Sequence, residues 1–222
     1  VTIFGVVLIG SSSSIARLTR MFFLSKFGLD EALAETRESH AREVALSQKL
    51  AEQARRDALT GAYNRRHLGE QLDYQIANFM RNQQLFSVVL IDIDHFKLIN
   101  DHHGHDVGDV VLIGATQAMA QALRKVDVFG RWGGEEFLCI LPNTHRDDAI
   151  RCAERLRQCL KGANFDEHSP GLRVTASFGV ATSQDGDGVD GIVKRCDLAL
   201  YRAKSEGRDR VVVQTEETFT TT

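Results

Sequence analysis

The sequence predicts an α/β domain that reaches to about residue 214 and follows a long N-terminal helix. Three observations support this fold class. The chain has 222 residues, 43% of them hydrophobic and 26% charged, which is enough to bury a core of ordinary size. After residue 56, apolar runs of strand length alternate with helical stripes. Residues 29–56 contain no glycine or proline and are rich in helix formers.

The composition excludes several classes of protein. Two prolines, 18 glycines without a repeating triplet and four cysteines exclude collagen-like, proline-rich and disulfide-stapled chains, and predict a reducing compartment. The 27 basic and 30 acidic residues give a net charge of −3. Because no overall basic field exists, we expect no nucleic-acid partner, and a polyanionic ligand must be held locally.

Residues 1–28 are predicted to be a membrane-proximal segment. Residues 1–10 are nearly all apolar, but a helix needs about 20 residues to cross a bilayer. Arg17, Arg20 and Lys26 precede the first acidic residue, Asp30, as on the cytoplasmic side of a membrane helix. We therefore expect a missing upstream segment that tethers a cytoplasmic domain to the inner face of the membrane. The alternative is an apolar end that packs on the domain or on a partner chain.

Residues 29–56 are predicted to form one helix with a weak heptad pattern. Such a helix buries little by itself, so a two-chain coiled coil is favoured over a solvated linker helix. The pattern consists of Leu33, Arg37, His40, Val44, Ser47, Ala51 and Ala54.

Residues 57–214 are predicted to form the α/β domain, and the polar residues 215–222 a disordered tail. Apolar residues at helical spacing predict helices, and β-branched runs predict strands. In order, we expect a helix over 68–79, a strand over 86–93, a helix over 107–123, strands over 126–129 and 137–141, a helix over 149–160, a strand over 173–181, a helix over 191–205 and a strand over 211–213.

Two acidic clusters suggest a cation site. Asp92 and Asp94 stand at the end of the first strand, where residues two apart point to the same face. Mg²⁺ prefers one or two carboxylates together with waters and phosphate oxygens. The second cluster, Glu135 and Glu136, follows a Gly-Gly pair in a predicted hairpin that a ligand can approach closely. The alternatives are a capped turn and an ordinary charged hairpin.

Two further segments carry polar groups suited to a nucleotide. Asn100 and Asp109 offer a donor and acceptors that match the edge of guanine, whereas the nearby histidines leave a zinc site as an alternative. His102 and His103 are expected in a solvated loop. Lys204 and Arg208 near the end of the last helix can reach phosphates, or simply complement the helix dipole.

Five motifs in this order and spacing closely resemble the GGDEF-domain family of diguanylate cyclases over about residues 57–213. They are DALTGAYNRR (57–66), DIDHFKLINDHHGHDVGD (92–109), RWGGEEF (131–137), SFGVA (177–181) and DLALYRAKSEGR (197–208). The resemblance implies a mixed central sheet flanked by helices. It also implies that two GTP molecules are joined into cyclic di-GMP with release of two pyrophosphates.

The resemblance implies a role for each site residue. Asp92 and Glu135 would bind Mg²⁺, or Mn²⁺ in its place, assisted by the backbone carbonyl of Ile93, while Glu136 joins the cation or helps activate the 3′-hydroxyl. The GTP contacts would be Asn100 and Asp109 to guanine, Lys204 and Arg208 to the phosphates, the His95, Phe96 and Lys97 backbone to the triphosphate, and Gly133 and Gly134 at the turn. Since each domain holds one GTP, the active unit would be a homodimer aligned through residues 29–56 by an upstream sensor.

The resemblance also implies a product-inhibition site at Arg124 and Asp127, whose alternative is a surface ion pair. Three positions depart from the family pattern: Ala62 replaces a leucine, Glu135 replaces aspartate and keeps the carboxylate, and Asp209 replaces asparagine. Asp209 is expected to weaken the phosphate contact of Arg208 by its negative charge.

Two other functions stay open. The first is a non-catalytic receptor for cyclic di-GMP, which would not need Asp92, Glu135 and Glu136. The second is a cyclase that makes a cyclic mononucleotide, which Asn100 and Asp109 disfavour.

Overall fold

The computed structural model describes residues 15–22, 26, 37–38, 40–47, 49–167 and 169–214. The chain divides into two units, 1–54 and 55–222. In the first unit the described residues up to 53 are helical, and Val44, Leu46 and Leu50 are exposed. None of the described helices is long and apolar enough to span a membrane. Residues 1–10, on which the membrane-segment prediction depends, and the tail 215–222 lie outside the described residues.

The second unit is built on a five-stranded mixed sheet, as the resemblance implied. The strands are β1 (Phe86–Ile93), β2 (Val128–Gly133), β3 (Glu136–Pro142), β4 (Ala176–Thr182) and β5 (Val211–Val213). Their order is β2-β3-β1-β4-β5, and only the β4–β5 pair is parallel. All eight residues of β1 are buried, because this strand is central and covered on both faces.

Helices cover both faces of the sheet. They are α1 (Arg65–Asn82), α2 (Phe96–His103), α3 (His105–Ala120), α4 (Arg146–Lys161) and α5 (Val189–Ser205). Val89, Ile91 and Ile93 pack with α3 and α4, whereas Phe86, Val88 and Leu90 pack with α1 and α5. By this alternation, Asp92 lies on the α5 face of the sheet.

Most predicted elements are confirmed within a few residues, and two differ in an informative way. Residues 96–103 form a helix that was not predicted, so the expectation of a loop at His102 and His103 is wrong. Only Ile99 of this helix is buried, which leaves no apolar stripe in the sequence. The strand predicted over 126–129 instead runs from Val128 to Gly133, because its hairpin continues to the Gly-Gly turn.

Close packing at Gly179 sets the position of α5. A Cβ atom at this residue of β4 would lie 2.1 Å from the Cys196 carbonyl oxygen and 2.5 Å from the Leu200 amide nitrogen. The backbone of α5 therefore touches the sheet directly, which only glycine permits. This approach brings the C-terminal half of α5, with Lys204, to the end of β1.

Candidate active site

Acidic residues from two separate motifs meet at the end of the central strand. In the antiparallel register of β1 and β3, Asp92 stands opposite Glu136, and such pairs have Cβ atoms about 5 Å apart. The Ile93 N–H donates to the Glu135 carbonyl oxygen at 3.3 Å. The two predicted acidic clusters are thus neighbours on one face of the sheet.

Burial and mutual repulsion raise the pKa of two of these carboxyls. Asp92 is 6% exposed, and its pKa lies above the ordinary value because of burial, with Glu135 and Asp94 adding repulsion. The pKa of Glu136 is also raised, by burial and by the charge of Asp92. Lys204 opposes both shifts, since its Nζ lies 2.7 Å from Asp92 Oδ2. The site therefore concentrates negative charge that a cation would stabilise.

The donor set of this site fits Mg²⁺. Within the described residues, no group of three or more His, Cys, Asp or Glu side chains is arranged to hold a metal ion. Mg²⁺ needs no such cage, because one or two carboxylates suffice when waters and phosphate oxygens complete its shell. Two converging carboxylates with raised pKa values meet that requirement.

The hairpin between β2 and β3 is held in place by Arg131. Its Nε donates to the Gly134 carbonyl oxygen at 2.8 Å, and its Nη1 lies 3.2 Å from Asp57 Oδ1. Gly134 adopts a positive φ of 40°, whereas Gly133 ends β2 and pairs with Glu136. The Asp57 motif and the Gly-Gly motif thus meet at one side of the site.

Asp94 has a structural role that the sequence did not reveal. It is 5% exposed and accepts hydrogen bonds from Thr175 Oγ1 at 2.8 Å, Ser177 Oγ at 2.7 Å and the Asp209 amide at 3.1 Å. Of the several geometries open to Asp92 and Asp94, the structure therefore has the one in which Asp94 binds protein donors. The spacing of two residues was the only signal in the sequence, and it does not distinguish the two carboxylates.

The predicted triphosphate segment forms the start of α2. His95 adopts a left-handed conformation with φ of 57°, and the helix begins at Phe96. The N–H groups of the first helical turn have no partner within a helix, and they favour anions together with the helix dipole. Lys97 is exposed beside them. The backbone at residues 95–97 can therefore receive phosphate oxygens.

Asn100 and Asp109 lie on consecutive helices. The Oδ1 atom of Asn100 is buried and has no hydrogen-bond partner in the structure. Gly108 makes room for it, because a Cβ atom there would lie 1.9 Å from that oxygen. Asp109 is the next residue and is exposed. The orphaned amide oxygen and the neighbouring carboxylate are compatible with a guanine edge, which carries N–H donors.

The turn after α5 carries Arg208. Arg208 and Asp209 both adopt left-handed conformations, with φ of 62° and 45°. Arg208 is exposed, whereas the Asp209 carboxylate pairs with Arg157 Nη1 at 2.5 Å and Lys161 Nζ at 2.6 Å on α4. The negative charge of Asp209 is thus paired with two cations of α4, and its expected effect on the phosphate contact of Arg208 stays a prediction.

Arg124 and Asp127 lie in a turn before β2. The Arg124 N–H donates to Asp127 Oδ2 at 2.8 Å, so the contact between them uses the backbone. Both residues line a cavity of about 110 Å³ with Arg151, Cys152 and Arg155 of α4. Leu141 also lines this cavity, and it follows Glu136 by five residues on β3, so the cavity lies about 16 Å along the strand from the acidic cluster.

The chain is similar in sequence to known proteins. Residues 54–210 match the family model described as "Diguanylate cyclase, GGDEF domain". The chain is 43% identical over 159 residues to the response regulator PleD of Caulobacter vibrioides, covering 70% of this chain and 35% of that protein. The chain therefore spans about a third of the length of this curated relative.

Solved structures show the same fold. The coiled coil and GGDEF domain of DgcB from Caulobacter crescentus, solved in complex with c-di-GMP, gives a TM-score of 0.77 at 26% identity and covers 83% of this chain and 98% of that chain. The active GGEEF domain of a diguanylate cyclase from Vibrio cholerae gives 0.64 at 37% identity and covers 69% and 97%.

Proposed function

The chain belongs to the GGDEF-domain family of diguanylate cyclases, and we propose that it condenses two GTP molecules into cyclic di-GMP with release of two pyrophosphates. One observation carries the proposal: the cross-strand pair of Asp92 and Glu136, with Lys204 at 2.7 Å, forms a charged site at the end of the central strand. The active GGEEF domain from Vibrio cholerae supports a glutamate at position 135.

Asp92 and Glu135, with the carbonyl of Ile93, would hold the divalent cation, Mg²⁺ or Mn²⁺, and Glu136 would either join the cation or help activate the 3′-hydroxyl. When bound, the cation would neutralise charge on the phosphates and on the attacking 3′-oxygen. Glu136 has a raised pKa, so it is also suited to accept the proton of the 3′-hydroxyl.

Cationic and backbone groups around the carboxylates would position the triphosphate. We assign the phosphates to the N–H groups at residues 95–97, to Lys204 and to Arg208, which lies one turn beyond α5. Gly133 and Gly134 leave the turn open, because a Cβ atom at Gly134 would meet nothing within 4 Å. These groups act by orientation and charge, which is where phosphoryl transfer gains most of its rate.

Guanine would bind at Asn100 and Asp109. The unpartnered Asn100 Oδ1 can accept a guanine N–H, and the Asp109 carboxylate can accept from the ring N–H and the amino group. An adenine ring presents a different order of donors and acceptors, so this pair would select GTP over ATP.

Two domains must face each other for the reaction, because each proposed site holds one GTP. The product has a twofold arrangement of two phosphodiester bonds, which matches an isologous homodimer. Residues 29–56 would align the two domains as a signalling coiled coil, and the DgcB structure, which joins a coiled coil to a GGDEF domain, supports this arrangement.

Arg124 and Asp127 would bind the product and inhibit the enzyme. The cavity at these residues brings three arginines together with two carboxylates, which suits the phosphates and guanine edges of cyclic di-GMP. The prediction of a membrane tether through residues 1–28 depends on undescribed residues and stays a prediction.

The proposed activity is tested by incubating the full chain with GTP and Mg²⁺ and measuring cyclic di-GMP and pyrophosphate. We expect one cyclic di-GMP for two pyrophosphates. Asp92→Ala and Glu135→Ala should abolish turnover, and Arg124→Ala should require much more added product for inhibition. Turnover at the normal rate in Glu135→Ala would contradict the cation assignment.

The same experiment separates the rival functions. A wild-type protein that binds cyclic di-GMP but forms none from GTP would be a receptor. Formation of cyclic GMP instead would indicate a mononucleotide cyclase.

A further inference from the structure

The turn that presents Arg208 is unusual in its backbone. Arg208 and Asp209 are consecutive residues in the left-handed region, which arginine rarely adopts and aspartate adopts more often. The preceding Gly207 also has a positive φ, of 115°. A turn with this conformation persists only where other contacts hold it.

Asp209 makes such contacts through both its backbone amide and its side-chain carboxylate. Its amide donates to Asp94 Oδ2 at 3.1 Å, and Asp94 is in turn fixed by Thr175 and Ser177. Its carboxylate takes Arg157 Nη1 at 2.5 Å and Lys161 Nζ at 2.6 Å. The turn is thus connected to the floor of the site on one side and to α4 on the other.

The side chain of Arg157 is itself fixed by Glu154. Its side chain is 13% exposed, and Glu154 takes its Nε and Nη2 at 2.9 and 2.6 Å while Nη1 goes to Asp209. The guanidinium fork is therefore fixed, and it holds Asp209 in one place. Hydrogen bonds from Lys161 and Arg157 outweigh burial and hold the pKa of Asp209 below its ordinary value.

We propose that Asp209 is a positioning residue that fixes the Gly207–Asp209 turn and so places Arg208 for the triphosphate. This inference rests on the proposed function, because it takes Arg208 as a phosphate ligand. It reverses the expectation from charge alone, under which Asp209 weakens that ligand. The two accounts predict opposite effects when the charge is removed.

The test is Asp209→Asn, which keeps the side-chain shape and removes the charge. The affinity for 3′-deoxy-GTP with Mg²⁺ is measured by calorimetry, since this analogue has no 3′-hydroxyl and the readout does not depend on turnover. We expect about tenfold weaker binding and a higher KM for GTP with a smaller change in kcat. Asp209→Glu should restore part of the affinity.

Asp187→Asn is the matched control. Asp187 is also an aspartate paired with an arginine, Arg195, and its side chain is 9% exposed against 26% for Asp209, but it lies beyond the opposite end of β4. We expect it to lower the melting temperature without changing nucleotide affinity. If Asp209→Asn does not fold, Arg157→Gln tests the same support from α4 and should also weaken nucleotide binding.

Unchanged or tighter nucleotide binding in a folded Asp209→Asn protein would overturn the inference. Equal weakening in Asp187→Asn would do so as well, because the effect would then be one of general stability. A wild-type protein that binds the analogue but makes no cyclic di-GMP would defeat the proposed function alone.

Discussion

Asp92 and Asp94 belong to one motif but make different contacts. Asp92 faces Glu136 and Lys204, whereas Asp94 accepts hydrogen bonds from Thr175, Ser177 and the Asp209 amide. The difference arises from strands that are distant in sequence. Chemistry at this site therefore depends on which donors reach each carboxylate.

The raised pKa values of Asp92 and Glu136 predict a pH dependence linked to metal. A carboxyl group must lose its proton to bind Mg²⁺. As the pH is lowered, activity should therefore begin to fall at a pH above the ordinary pKa of a carboxyl group. A higher Mg²⁺ concentration should shift this fall in activity to lower pH, because Mg²⁺ competes with protons for the carboxylates. Initial rates measured across pH at several Mg²⁺ concentrations check this. An acidic fall in rate at the same pH for every Mg²⁺ concentration would contradict it.

The raised pKa values of Asp92 and Glu136 also determine whether stability rises or falls with pH. Because the native pKa values exceed the unfolded ones, the native state binds more protons between the two. The contribution of these groups to the free energy of unfolding therefore falls as pH rises through that interval. The site is less stable in the ionised form that function requires.

Gly108→Ala tests the guanine assignment. The new Cβ would lie 1.9 Å from Asn100 Oδ1, so the amide must rotate away, which a flexible side chain can do. We expect GTP affinity to fall about fivefold to tenfold, whereas stability stays within about 1 kcal/mol of wild type. Measured GTP binding and urea unfolding check this.

Gly69→Ala on α1 is the control for that variant, because a Cβ there meets nothing within 4 Å. It should change neither GTP affinity nor the base preference. Wild-type GTP affinity in Gly108→Ala would argue against Asn100 as a guanine contact.

The acidic clusters could be predicted from the sequence, but the residues that hold the neighbouring groups in place could not. Asp92 and Glu136 stand in a strand and a hairpin whose patterns are strong, so their pairing follows from the fold. The support of Asp209 by Arg157 and Lys161 joins residues about 50 positions apart on charged surfaces, where no periodic pattern marks a contact.

At the scale of elements, burial decides what the sequence reveals. Strand β1 and helix α4 have clear apolar patterns and were predicted, whereas α2 has one buried residue, Ile99, and was not. The start of α2 is nevertheless part of the site. Short functional elements held by their neighbours lack the signal that longer ones carry.

The contact between α5 and β4 predicts the effect of Gly179→Ala. The added Cβ would lie within 2.5 Å of backbone atoms of Cys196 and Leu200, so α5 must shift and carry Lys204 with it. We expect a loss of about 2 kcal/mol or more in the free energy of unfolding, together with reduced turnover. Urea unfolding and initial rates measure both.

Gly191→Ala in the same helix is the comparison, since its nearest neighbour would be Asp187 Oδ1 at 3.4 Å. That variant should be as stable as wild type or more so. A Gly179→Ala protein with normal stability and rate would show that α5 has more freedom than the packing indicates.

At the scale of the whole molecule, the proposed reaction needs two copies of the chain. The rate per protomer should therefore rise with protein concentration and level off once dimers predominate. Initial rates over a dilution series, compared with sedimentation over the same range, measure this. A rate per protomer that is constant while the protein is monomeric would contradict the facing-site arrangement.

The central position of β1 has a consequence for how the proposed activity can be lost. Because β3 and β4 flank it on both edges, its amides should exchange with deuterium only on global opening, whereas α2, which has one buried residue, Ile99, can open locally. Warming or mild denaturant should then impair nucleotide capture first, and leave the acidic cluster assembled until the whole domain melts.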